Sequence, residues 1–203
     1  MNVANPIDRR MLARIKRRGG EWVFSPADFI DLGTRDAVDK ALSRMAADGT
    51  IRRVARGLYH VPKQHPIVGM TAPSIDAVAK AIAGKGKTRL QPTGAYAANL
   101  LGLSDQVPAK VVFLTDGRAK RLRLGKLDMI FRQASPRTMT TAGTISGLVI
   151  QALRYLGKPH VTGDTERKLG RRLSVDDRKR LQKDLASAPI WIADIMRRLA
   201  AQR

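Results

Sequence analysis

The chain has no cysteine, few aromatics, few acids and no long apolar run. Without cysteine there is no disulfide framework, no cysteine–zinc site and no thiol nucleophile. Aromatics make up 4% of the chain against 43% hydrophobic residues overall, so the core has to rest on Leu, Val, Ile, Ala and Met. No apolar stretch approaches the roughly 20 residues that span a bilayer. The basic N-terminus (MNVANPIDRRMLARIKRRGG) lacks a following apolar segment, so no secretory signal is expected and a cytoplasmic location is. Histidine occurs only at 60, 65 and 160, without metal-binding spacing.

What the chain has in excess is positive charge: 38 basic against 17 acidic side chains, net +21 over 203 residues. Such a surplus selects a polyanionic partner, nucleic acid ahead of an anionic membrane surface. It is spread along the chain: residues 1–63 carry a net +6 and residues 64–203 the remaining +15. The length suits one large or two small domains.

The pattern between Glu21 and Pro62 is the most informative. Asn5 and Pro6 open a first helix with Ile7, Met11, Leu12 and Ile15 near one face, and Gly19-Gly20 closes it. Trp22-Val23-Phe24 is β-prone. Ser25-Pro26-Ala27-Asp28 starts a short helix whose apolar face is Phe29, Ile30 and Leu32. Thr34 caps a longer helix to about Asp48, with Val38, Ala41, Leu42 and Met45 on the inner face. Ile51–Val54 and Leu58–Val61 flank a turn at Ala55-Arg56-Gly57, a hairpin with arginines at its tip. Helix, helix and basic hairpin in that order read as a winged helix-turn-helix, residues 1–63, which sets one helix in the DNA major groove. The expected DNA-binding residues are Ser25, Thr34, Arg35, Asp36, Lys40, Ser43 and Arg44, with Arg53 and Arg56 on the wing. Cations there can meet guanine or phosphate, and a carboxylate can accept from cytosine. The same residues on an isolated helix would be an ordinary solvated face; His60 is expected at the surface of the wing.

Residues 64–203 read as a mixed α/β domain, giving an α+β fold class overall. Lys63–Thr71 is expected as a linker, and Ser74 caps a helix reaching Gly84. Gly84-Lys85-Gly86-Lys87-Thr88 has the tail of a phosphate-binding loop, but the required earlier glycine is Ala81, inside a helix, so it reads as a basic helix end. Arg89–Pro92 is extended, and Ala95–Leu101 is helical. Val111–Thr115 is an apolar strand expected to be buried on both faces, followed by an Asp116-Gly117 turn. Arg121–Leu124 and Leu127–Arg132 alternate around Gly125-Lys126 and predict a hairpin, completing a small, mostly antiparallel sheet. Its polar face carries Arg121, Arg123 and Arg132, either a second phosphate-contacting surface or a solvated sheet face. Ile145–Leu156 is an apolar helix over the sheet, and a helical tail begins at about residue 162. Asp176-Asp177 caps a helix. No nucleophile elbow or dinucleotide fingerprint is present. No catalytic residue, cofactor or metal site is therefore expected, and the chain does not read as an enzyme.

Three stretches carry a family likeness: WVFSPADFIDLGTRDAVDKALSRMAADGTIRRVARGLYHVP, QPTGAYAANLLGLSDQVPAKVVFLTDG and SAPIWIADIMRRL. Together they resemble the AbiEi-type antitoxins of bacterial type IV toxin–antitoxin systems, above all the shorter relatives with a Q-P-x-G-A-Y-A-A-N-x-L-G-L block. The resemblance implies a protein that binds repeats in its own promoter and represses its operon; from the residues alone, the charged helical tail is expected to pack on the body or to mediate self-association on the DNA. It also implies a second domain opposing a nucleotidyltransferase-like toxin without a stable complex. By position, Thr34–Ala47 and the wing around Arg53 and Arg56 would read the DNA. The basic helical end after Gly163 matches no known antitoxic element. The competing expectations are a nucleic-acid-binding accessory protein of a plasmid or mobile element, and an enzyme acting on nucleic acid.

Overall fold

The structure, a computed structural model, describes residues 6–62, 64–65, 69–70, 72–84, 88–106 and 108–202. It is mixed α+β and divides into two compact units, Met1–Lys85 and Gly86–Arg203. The division falls between Lys85 and Gly86 rather than at residue 63.

In the first unit α1 (Pro6–Arg18) opens on its proline and buries Met11 and Ile15; Asn5 lies outside the described residues. Strand β1 (Val23–Phe24) follows. The segment after Ser25 is a single 3-10 turn, Pro26–Phe29, rather than an α-helix. It is too short to bury a full face: Phe29 is inside, but Ile30, expected on the inner face, is 60% exposed. Helix α2 (Arg35–Ala47) is capped by the Thr34 hydroxyl, which accepts from the Ala37 N–H. It buries Val38, Ala41, Leu42 and Met45, the face set by their 3–4 spacing. β2 (Arg52–Ala55) and β3 (Leu58–His60) form the hairpin. Ala55 faces Leu58 across the two-residue turn Arg56-Gly57, where Gly57 adopts φ +72°. β3 is the middle of a three-stranded antiparallel sheet, order β1-β3-β2. Met11, Ile15, Phe24, Phe29, the inner face of α2 and Ile51 make one core. Within it Phe24 meets Phe29 edge-on at 5.5 Å between ring centres, and each such buried side chain contributes about 1.5–3 kcal/mol.

Part of the expected linker is ordered as two short antiparallel strands, β4 (Gln64–His65) and β5 (Gly69–Met70). Helix α3 (Ile75–Ala83), capped by Ser74, packs near β1 and belongs with the first unit. Of the phosphate-loop-like segment, Lys85, Gly86 and Lys87 lie outside the described residues.

The second unit is built on β6 (Leu90–Thr93), β7 (Lys110–Thr115), β8 (Lys120–Leu124) and β9 (Leu127–Gln133), in the order β6-β7-β9-β8. β8 and β9 pair as a hairpin around Gly125-Lys126. β9 also enters between β7 and β8 and runs parallel to β7. β7 is buried on one face only: Val111, Phe113 and Thr115 are inside, while Val112 and Leu114 are half-buried on the other side. Helix α4 (Gly94–Leu100) follows β6 directly and brings Tyr96 edge-on to Phe113 at 5.7 Å.

Helix α5 (Ile145–Leu156) is tied to β6 by buried polar groups. Gln91 Oε1 accepts from the Gly143 N–H, just before α5, at 3.1 Å, and the Thr93 hydroxyl donates to Gln151 Oε1 at 2.7 Å. Gly147 lies where a side chain would collide with Gln91 Oε1 and the Thr141 carbonyl. The segment expected as a tail is α6 (Gly163–Arg172), α7 (Val175–Lys183) and α8 (Ile190–Ala201). It is an integral part of the fold: Leu169, Leu173, Leu181, Ile192, Ile195, Met196 and Leu199 share one core with Ala97, Ala98, Val149 and Leu153.

Candidate nucleic-acid interface

The outer face of α2 follows from its inner one. With Val38, Ala41, Leu42 and Met45 turned in, Arg35, Asp36, Lys40, Ser43 and Arg44 are exposed, as is Thr34 at the cap. The cations on this face are held by carboxylates. Lys40 Nζ lies 2.8 Å from Asp36, and Arg35 Nε lies 2.8 Å from Asp39, both one helical turn apart. Arg44 reaches off its own helix to Asp8 on α1, with Nη2–Oδ1 at 2.7 Å and Nε–Oδ2 at 3.1 Å. That hydrogen-bonded pair raises the Arg44 pKa further above its ordinary value. The two pairs within α2 are exposed, weakly held in water and exchange readily for another anion, whereas the Arg44–Asp8 pair is bidentate and its carboxylate is largely covered.

Thr34, Asp36, Lys40 and Arg44 share a cleft of about 510 Å³ with Arg10 of α1. Arg10 and Asp8 were not among the expected site residues. The pairing of Asp8 spans 36 positions and leaves no local signature. Ser25 is not part of this cleft. Its N–H and hydroxyl both donate to Asp28 Oδ2, at 2.8 and 3.0 Å, and it lines a different concavity with Trp22, Ile30 and Lys80.

On the hairpin, Arg52, Arg53 and Arg56 are exposed, Arg56 at the turn. Arg53 donates to the Ala55 carbonyl at 3.4 Å. His60 corrects the expectation of a surface residue: it is 4% exposed, on the central strand opposite Val23 and Arg52. Burial, with Arg52 adding, lowers its pKa. The imidazole therefore sits neutral in the sheet and presents no charge to a ligand.

The second unit has a basic surface of its own. Strand register puts Lys110, Asp128 and Arg123 side by side, then Val112, Ile130 and Arg121, then Leu114 and Arg132, all on the sheet face opposite the buried one. Asp128 is the carboxylate in this array. Arg121 donates to it at 2.7 Å, and that hydrogen bond, with Arg123 and Lys110 nearby, lowers its pKa. The face is thus cationic with an aliphatic centre. Among the described residues no three imidazole or carboxylate groups converge to hold a metal ion, and no helix is long and apolar enough to cross a membrane. Asp116 is engaged by Arg89, whose N–H and Nε both donate to it at 2.8 Å.

No curated protein matches this chain. Among solved structures it is similar to the crystal structure of the RV2827C protein from Mycobacterium tuberculosis. The two are 15% identical with a TM-score of 0.50, over 98% of this chain and 78% of that one. The likeness is one of fold. At the level of sequence, a family of unknown function (DUF6088) matches residues 10–181, most of both units, and the chain belongs to that family.

Proposed function

We propose that the first unit is a winged helix-turn-helix and that the protein is a sequence-specific DNA-binding repressor of its own operon. The observation that carries this is the pairing of α2, whose outer face offers Arg35, Lys40, Ser43 and Arg44, with a hairpin offering Arg52, Arg53 and Arg56 in the same unit. In this reading α2 enters the major groove of promoter repeats and the hairpin takes phosphate or the minor groove. Asp36 and Asp39 hold the cations in place until base edges or phosphates replace them. The protein is cytoplasmic, needs no cofactor and is not an enzyme.

The second unit, in the same proposal, is the antitoxin part, opposing a nucleotidyltransferase-like toxin without a stable complex. The support is the Gln91–Leu103 block, which forms β6 and α4 and is anchored to α5 through Thr93 and to the turn before α5 through Gln91. One observation favours a second reading, a nucleic-acid-binding accessory protein with no toxin: the cationic sheet face around Arg121, Arg123 and Arg132.

A titration of the full chain against its own upstream DNA and against random duplex, across salt concentrations, tests the repressor. Upstream DNA is expected to bind at least a thousand-fold more tightly than random duplex. Equal binding overturns the proposal. Co-expression with a nucleotidyltransferase encoded beside it separates the two readings: restored growth supports the antitoxin, and undiminished toxicity the accessory protein.

A further inference from the structure

Helices α7 and α8 leave a groove of about 990 Å³ between them. On α7 its wall is Val175, Arg178, Lys179, Gln182 and Lys183, the 3–4 spacing of a single stripe; on α8 it is Arg197, Ala200 and Ala201. Val175 is 69% exposed at one end, although its neighbours Leu173 and Leu181 are buried. Among the described residues no side-chain carboxylate lines the groove, while four cations do. We propose that this groove docks an acidic amphipathic helix of a partner protein.

One cation shapes the groove. Arg178 donates to the carbonyls of Gly170 at 2.8 Å, Leu173 at 3.3 Å and also Gln202, tying together the ends of α6 and α8. The Gln202 amide in turn sits where a side chain on residue 170 would be. This end of the groove is therefore fixed before any ligand arrives, which lowers the ordering cost of binding. Lys179, Lys183 and Arg197 are left on the rim. Lys179 and Arg197 hold only exposed carboxylates three residues away on their own helices, at 3.3 and 2.7 Å, and such pairs exchange easily.

The occupant follows from floor and rim together. Small residues at Ala200 and Ala201 let a third helix approach the pair closely, and Val175 offers it an apolar contact. The rim cations then meet its acidic side. A nucleic-acid backbone would satisfy the cations but leave the apolar floor unmatched. A second copy of this chain would bring more cations to cations, since its net charge is +21. The groove lies in the second unit, and this inference does not depend on the DNA-binding reading of the first.

The test uses the full chain and a labelled synthetic probe, a helix of about 20 residues with Leu on one face and Glu on the other, followed by fluorescence anisotropy. Two controls accompany it: the same residues in scrambled order, and the amphipathic sequence with Lys in place of Glu. The acidic amphipathic probe is expected to bind at least ten-fold more tightly than either control. Val175→Ser, and separately the double change Lys179→Glu with Lys183→Glu, are expected to weaken it at least ten-fold. All three positions are exposed, and unchanged thermal melting and circular dichroism establish that the variants fold. The inference is overturned if the scrambled probe binds as well, if neither variant weakens binding, or if no probe binds. It is also overturned if duplex DNA displaces the probe and itself binds ten-fold less tightly to both variants, which makes the groove a nucleic-acid surface.

Discussion

Arg44 is paired with Asp8, and the proposed function gives it a second partner on DNA, which is testable. In the free protein it is clasped by Asp8, so it joins α1 to α2 as well as standing on the outer face of α2. If Arg44 touches bases, Arg44→Ala should weaken specific binding roughly ten-fold, whereas Asp8→Asn, which releases the guanidinium, should leave binding equal or tighter. Should both changes weaken binding alike, Arg44 acts by positioning α1 instead; competition binding with the operator measures this. His60 calls for a different probe. Its folded-state pKa is depressed, so it binds a proton more weakly folded than unfolded. Its stabilising contribution is complete above the ordinary imidazole pKa of about 6.5 and is lost as pH falls through the lower folded value. Melting temperature should fall between about pH 7.5 and 5, and His60→Leu should flatten that dependence. Neither Asp8 nor the burial of His60 was legible in the sequence. A long-range ion pair has no period, and a histidine alternating along a short strand does not say which side is covered.

Elements were more legible than their surroundings. α2 was readable to within a residue because cap, inner face and terminator agree: Thr34, the 38–41–42–45 spacing, and Gly49. The hairpin turn at Gly125-Lys126 was readable for the same reason, since alternating strands flank residues suited to tight turns; the other, read as Ala55-Arg56-Gly57, is one residue shorter because Ala55 ends β2 opposite Leu58. The 3-10 turn at Pro26–Phe29 was not readable, because its start signals are those of an α-helix and only length separates them. Nor was the seam between β6 and α5. There Gly147 has no visible local role, yet the Gln91 amide and the Thr141 carbonyl occupy the space beside it. Gly147→Ala should therefore destabilise the second unit by about 1–3 kcal/mol, despite alanine's better helix propensity. Urea unfolding followed by circular dichroism gives the number; a neutral or stabilising result would mean the seam yields easily.

At the scale of the whole molecule, charge is what the two units have in common. Composition alone located most of it beyond residue 63, but not on which surface. Strand register supplies that, gathering Lys110, Arg121, Arg123 and Arg132 on one sheet face. If this face meets the same DNA as the first unit, replacing Arg121, Arg123 and Arg132 with Gln should flatten the salt dependence of binding. The slope is expected to fall by about one for each phosphate that the altered face no longer neutralises, with relative preference among sequences unchanged. An unaltered slope would confine DNA binding to the first unit. Strand order has one more effect, on synthesis rather than on binding. Beside β7 lies β9, which leaves the ribosome last of the four strands. Until it does, the Val-Val-Phe-Leu run of β7 has one edge taken by β6 and the other bare. An apolar edge of this kind pairs with whatever strand is nearest. The hairpin that brings β9 to β7 also covers that edge.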